Sequence, residues 1–151
     1  MNRRKLYVAA IIVAALLTYV GTSHAAGNFT LRSIRGVYGF SGSGTLFNGA
    51  VQAAIVGLNS FDGAGGCDIT ARLNAGGTVF SLTTARCTYT VNPNGTGLIT
   101  ATFNEPGFTG PFLSDFVIVD QGKELQFVLS DVSQTTVASG VAKRQSSSDR
   151  D

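Results

Sequence analysis

Residues Cys67–Val91 read CDITARLNAGGTVFSLTTARCTYTV. Two runs rich in Thr, Ile, Val and aromatic residues, Cys67–Leu73 and Val79–Val91, flank the turn signal Asn74-Ala75-Gly76-Gly77. Such runs on either side of a glycine-rich turn predict a β-hairpin. The two cysteines, Cys67 and Cys87, are the only ones in the chain. If they face each other across the hairpin, the turn is Gly76-Gly77-Thr78. Leu73 then faces Ser81, Ile69 faces Ala85 and Asp68 faces Arg86. In an oxidising compartment the pair forms a structural disulfide. Closing a loop of about 20 residues stabilises the fold by about 3 kcal/mol in the chain-entropy treatment. Asp68 and Arg86 are expected as a solvated cross-strand ion pair, worth a few tenths of a kcal/mol.

Outward from this hairpin the same grammar repeats. Gly36–Phe47 and Val51–Phe61 precede it, and the second of these ends at Asp62-Gly63-Ala64-Gly65-Gly66. After it come Gly97–Asn104, Phe112–Val119, Glu124–Ser130 and Thr135–Lys143. Asn92-Pro93-Asn94-Gly95 separates the fourth run from the fifth, with Pro and Gly where a tight turn wants them. None of the connections is long enough for the helical crossover that parallel strands require. Eight short-linked runs predict a small all-β domain, an eight-stranded antiparallel up-and-down barrel. A β-sandwich is the alternative. The sixth and seventh runs are apolar on both faces, through Phe112, Phe116 and Ile118 against Leu113, Val117 and Val119. Either an outer apolar face is covered, by a second copy of the chain in a homo-oligomer or by the segment Asn28–Arg35, or a sandwich-like flattening buries both faces.

The chain opens on a basic stretch, Met1-Asn2-Arg3-Arg4-Lys5, followed by the uncharged run Leu6–Val20 and the small residues around Ser23 and Ala25. This is the pattern of a cleaved signal peptide, here residues 1–25. The apolar run is too short for a spanning helix. The predicted organisation is a signal peptide over 1–25, a barrel domain over 28–144 and a polar, serine-rich, disordered tail over 145–151. The mature protein is expected in the periplasm or the medium, with no membrane span. Cleavage takes three of the 11 basic residues and none of the 9 acidic ones, so the net charge falls from +2 to −1. No basic face for nucleic acid follows from that balance. The single His, His24, also leaves with the signal. Nucleophilic systems built on His are thereby excluded within the chain, and so are metal sites of the His/Cys kind. No metal and no cofactor is expected, and no catalytic residue is assigned.

Three segments carry a resemblance. Gly36-Val37-Tyr38-Gly39-Phe40-Ser41-Gly42-Ser43-Gly44, Thr88-Tyr89-Thr90-Val91-Asn92-Pro93-Asn94-Gly95-Thr96-Gly97 and Ala138-Ser139-Gly140-Val141-Ala142-Lys143-Arg144-Gln145 resemble a recurrent group of short exported bacterial proteins. The resemblance covers nearly the whole mature domain and implies no activity. More remotely, the layout is similar to the calycin barrels, meaning lipocalins and allene oxide cyclase-like proteins. Lipocalins have a Gly-x-Trp on the first strand, packed by a basic residue near the last. Gly36-Val37-Tyr38 and Arg144 stand in comparable places, with Tyr for Trp and without the lipocalin C-terminal helix.

Tyr38 and Phe40 share a strand face with Gly42 and Gly44, so bulk at one end gives way to space at the other. Phe116 and Phe127 lie mid-strand on apolar faces. These four aromatics are the candidate ligand-binding residues of a small apolar pocket, with Tyr38 as its polar handle; the competing reading is that they only pack the core. Asp115, in an apolar strand, is read as exposed, against the alternative of a buried carboxyl with a raised pKa. The function classes left open are a binding module for a small apolar ligand, a structural or interaction protein with a filled core, and an allene oxide cyclase-like isomerase. The first is favoured.

Overall fold

The computed structural model describes residues 27–46, 49–108, 110–130 and 136–146. The signal-peptide reading over 1–25 and most of the tail, 147–151, lie outside the described residues. Eight strands form the body: β1 Gly36–Leu46, β2 Val51–Phe61, β3 Cys67–Ala75, β4 Thr78–Val91, β5 Thr96–Phe103, β6 Phe112–Val119, β7 Glu124–Leu129 and β8 Val137–Arg144. Each pairs antiparallel with its neighbours in sequence, and β8 pairs back onto β1, so the sheet closes into an up-and-down barrel. The sandwich alternative is thereby set aside.

The strands alternate inward and outward residues as a closed sheet demands. Tyr38, Phe40 and Gly42 point inward from β1. Phe116 and Ile118 point inward from β6, and Leu125 and Phe127 from β7. Aromatic rings lie over glycines of the facing strand: Phe116 is the register partner of Gly97, and Phe127 of Gly140. A Cβ at either glycine would collide with the ring. These two glycines are where a strand interior needs no side chain of its own, because the neighbour's ring supplies the packing.

The hairpin that announces the fold differs from its expected register by one residue. Gly76 and Gly77 both have positive φ, 57° and 91°, and form a two-residue turn between Ala75 and Thr78. Two consecutive positive-φ residues suit the right-handed twist of the flanking strands. Leu73 therefore faces Phe80, and Arg72 faces Ser81, to which it donates a hydrogen bond. The ladder of β4 to β5 then shifts between Thr84 and Arg86, leaving Ala85 as the extra residue of a bulge. The bulge changes which parity points inward, from Phe80 and Leu82 to Cys87 and Tyr89. It also brings Cys87 back opposite Cys67. The two are joined by a disulfide with a Cα–Cα distance of 4.9 Å. The expected Asp68–Arg86 ion pair is not formed. Among the described residues the ion pairs are Lys143–Glu124 and Lys123–Asp120.

One end of the barrel is sealed. A 3-10 turn, Leu31–Ile34, folds across it and buries Ile34 against Tyr38, Phe61 and Tyr89. Edge-to-face contacts run from Tyr38 to Phe61 (5.5 Å between centroids) and from Phe61 to Tyr89 (4.9 Å). Such geometry suits the ring quadrupoles. The Tyr89 hydroxyl donates to Leu31 O at 3.1 Å, pinning the turn. The N-terminal segment thus closes the floor and does not cover the outer face of β6 and β7, where Val117 and Val128 remain 38% and 45% exposed. Asp115 is exposed between them, as the simpler reading expected.

Candidate functional site

Above the sealed floor the barrel is not filled. A cavity of about 150 Å³ runs along its axis toward the opposite end, where Leu46, Phe108 and Thr136 border it. Small inward residues create the space: Gly42, Ala53, Ala101, Ala138 and Ala142 stand in its wall. Phe40, Phe116 and Phe127 line it, and Phe40 meets Phe127 edge-on at 6.1 Å. Phe116 and Phe127 are direct cross-strand partners. At the mouth, Phe108 reaches from the β5–β6 loop onto Phe80 and Phe112, with centroids 5.4 and 6.2 Å away. Glu105 holds that loop against β4 by accepting from the backbone N–H of Thr83 at 2.9 Å.

Of the four aromatics singled out in the sequence, three are therefore brought together around one space. Tyr38 is not with them. It lies one layer lower, fully buried in the floor, and its hydroxyl is engaged there. That hydroxyl donates to Gly122 O and accepts from Arg144 Nη2 (2.9 Å) and Nε (3.1 Å). The Arg144 guanidinium also lies over the Tyr38 ring at 5.4 Å and donates to Ser33 O at 3.0 Å. Arg144 and Tyr38, which stand in places comparable to the lipocalin pair, are thus in contact, and that contact uses up the polar group that was expected to face a ligand. Burial pushes the Tyr38 phenol above its ordinary pKa, against the opposing pull of Arg144. Burial raises Tyr89 likewise. Outside the cavity, Asp62 is held below the ordinary carboxylate range, chiefly by the N–H of Ala64 (2.7 Å), with those of Gly66 and Gly65 adding to it.

The polar residue that does face the cavity is Asn59. It is on β2, between register partners Tyr38 and Ile69, and is 6% exposed. Among the described residues its Oδ1 has no hydrogen-bond partner. A buried acceptor left unpaired costs about 1–3 kcal/mol. The signal was present in the sequence: Ala53, Ile55, Gly57, Asn59 and Phe61 share the inward parity of β2, and Asn59 is the polar member. The remaining polar side chains of the lining, Ser114 and Thr136, are hydroxyls; Ser139 borders the cavity from an exposed position of β8. No lining side chain among the described residues carries a charge.

No family model and no curated protein matches the chain. Among solved structures it is similar to EF1p2_mFAP2b bound to DFHBI, at 15% identity and a TM-score of 0.51, over 78% of this chain and 100% of that one. Likeness at that identity establishes the barrel fold alone.

Proposed function

We propose that this protein is exported and acts as a binding module that holds a small apolar ligand inside its barrel. The observation that carries this reading is the apolar cavity of about 150 Å³ between a sealed floor and an aromatic-rimmed mouth. A core whose only task is packing fills such space, because interiors are close-packed and voids are costly. An apolar cavity of comparable size in another protein holds a benzene-sized molecule. A wall of aliphatic side chains, aromatic rings, hydroxyls and one amide offers surface and hydrogen bonds but no titratable acid or base, which favours binding over the isomerase reading. That EF1p2_mFAP2b is bound to DFHBI supports ligand binding as a use of this architecture.

Toluene tests the reading directly. It should raise the unfolding temperature saturably, by about 2.7 kcal/mol of stabilisation at a hundredfold excess over Kd. Ala101→Leu, which grows a side chain into the cavity, should abolish that effect. A wild type indifferent to toluene would remove the proposal. Export is tested on secreted material: its intact mass should correspond to a chain starting at Ala26 with Cys67 and Cys87 oxidised. An N-terminus at Met1 or two alkylatable thiols would overturn it.

A further inference from the structure

Two groups of aromatic rings flank the cavity. On one side the Phe127 ring lies along the wall, reaching from β7 over β8 to β1. Its Cζ stands 2.5 Å from where a Cβ at Gly140 would be and 3.4 Å from where one at Gly42 would be. The Phe40 ring meets it edge-on there. On the other side, Phe103 at the end of β5 meets Phe112 at the start of β6, with centroids 5.4 Å apart and planes at 66°. Gly42, Ala53 and Ala138 keep the rest of the wall shallow. The level of these rings decides what a ligand can touch. Inward residues at the floor, Tyr38, Phe61 and Leu125, are at most 2% exposed. Phe40, Phe103, Phe112 and Phe127 also point inward and line the cavity, but they are only half-buried. An inward side chain of a closed barrel that keeps accessible surface keeps it toward the lumen or its mouth. Ring surface is therefore what the cavity offers. An aliphatic wall would be equally apolar, but rings add direction through a negative face and a positive edge.

We infer that the ligand is a neutral, planar molecule with one aromatic ring, held between Phe40 and Phe127 on one side and Phe103 and Phe112 on the other. This rests on the barrel interior being the binding site. A space of about 150 Å³ admits one ring. Edge-to-face contact with each pair continues the geometry that the four rings already adopt with one another. A saturated ring of the same carbon count is thicker and has no quadrupole to match. A cation is also drawn to ring faces, but no lining side chain among the described residues would balance its buried charge.

The test compares benzene, cyclohexane and tetramethylammonium as ligands of the full-length protein, through the concentration dependence of its unfolding temperature. The two hydrocarbons are compared at equal fractions of their aqueous saturation, so that their different hydrophobicities cancel. On that scale benzene should bind the wild type more tightly than cyclohexane by about fivefold or more. Phe127→Leu keeps the wall apolar and removes one ring. It should lower the benzene-to-cyclohexane ratio by about threefold or more, with cyclohexane still bound. The wild-type ratio stands by itself if the variant does not fold. Cyclohexane binding as well as benzene, a ratio unchanged in Phe127→Leu, or tetramethylammonium bound in preference to benzene would overturn the aromatic specificity while leaving the cavity as a binding site. Failure of all three probes to bind the wild type would overturn the cavity reading itself, and this inference with it.

Discussion

Replacing Phe116 by Ala removes a ring shared by the lower core and the cavity wall. Phe116 is 4% exposed, so almost the whole ring is withheld from water. Transfer of that surface is worth about 2–3 kcal/mol. Relaxation cannot recover much of the space, because the residue facing it on β5 is Gly97, which has no side chain to move in. A residual void on the order of 80 Å³, at about 24 cal/mol per Å³, adds about 2 kcal/mol. The expected loss is about 4 kcal/mol, a large part of the roughly 5–15 kcal/mol that holds a small domain together. Urea unfolding of wild type and variant measures it, with the dependence on urea expected to be unchanged. The void also opens into the existing cavity, so the variant should accept a two-ring probe such as naphthalene that the wild type refuses. A loss below about 1.5 kcal/mol with an unchanged slope would mean that the site collapses freely. The account of a ring braced over a glycine would then be wrong.

Gly97→Ala probes the same contact from the other side. Its new Cβ would overlap the Phe116 ring and the Thr90 carbonyl, and the variant should lose about 1–3 kcal/mol in the same urea assay. Alkaline pH is the third perturbation. Tyr38 and Tyr89 hold their protons more tightly in the folded state than the ordinary phenol value near 10. Their contribution is therefore present below pH 10 and lost as the pH rises through the folded-state values. Stability measured from pH 9 to 11.5 should fall, and fall less steeply in Tyr38→Phe; a flat profile would contradict the burial argument.

The strand pattern was legible because turn chemistry punctuates it. Asp62 to Gly66, Asn92 to Gly95 and Asp120 to Lys123 stop the chain where their glycines and side-chain caps require, and β2 and β6 begin and end at the expected residues. Register was harder. Cys67 and Cys87 correctly indicated a pair, but a straight ladder between them ignored that Gly76-Gly77 suits a two-residue turn; the bulge at Ala85 reconciles the two. A bulge leaves only two consecutive outward residues, Ala85 and Arg86, and alternation alone does not distinguish that from an exposed stretch. Parity put Tyr38 and Phe40 on one face but gave no level along the barrel axis, which depends on the shear of the closed sheet. Tyr38 therefore fell in the floor and Phe40 in the wall. Asn59 was readable from parity, yet an Asn among apolar residues draws less notice than a charge such as Asp115.

The pairing of β8 with β1 also sets a condition on how the chain is made. Tyr38 and Arg144 are 106 residues apart, and seven hairpin contacts must be in hand before that last seam can form. A ribosome delivers β1 first and β8 last, so the glycine-rich edge of β1 waits, unpaired, through the synthesis of everything between them. No partial product short of β8 can close. The nascent chain thus stays open-edged, and threadable through a narrow passage, until β8 has emerged.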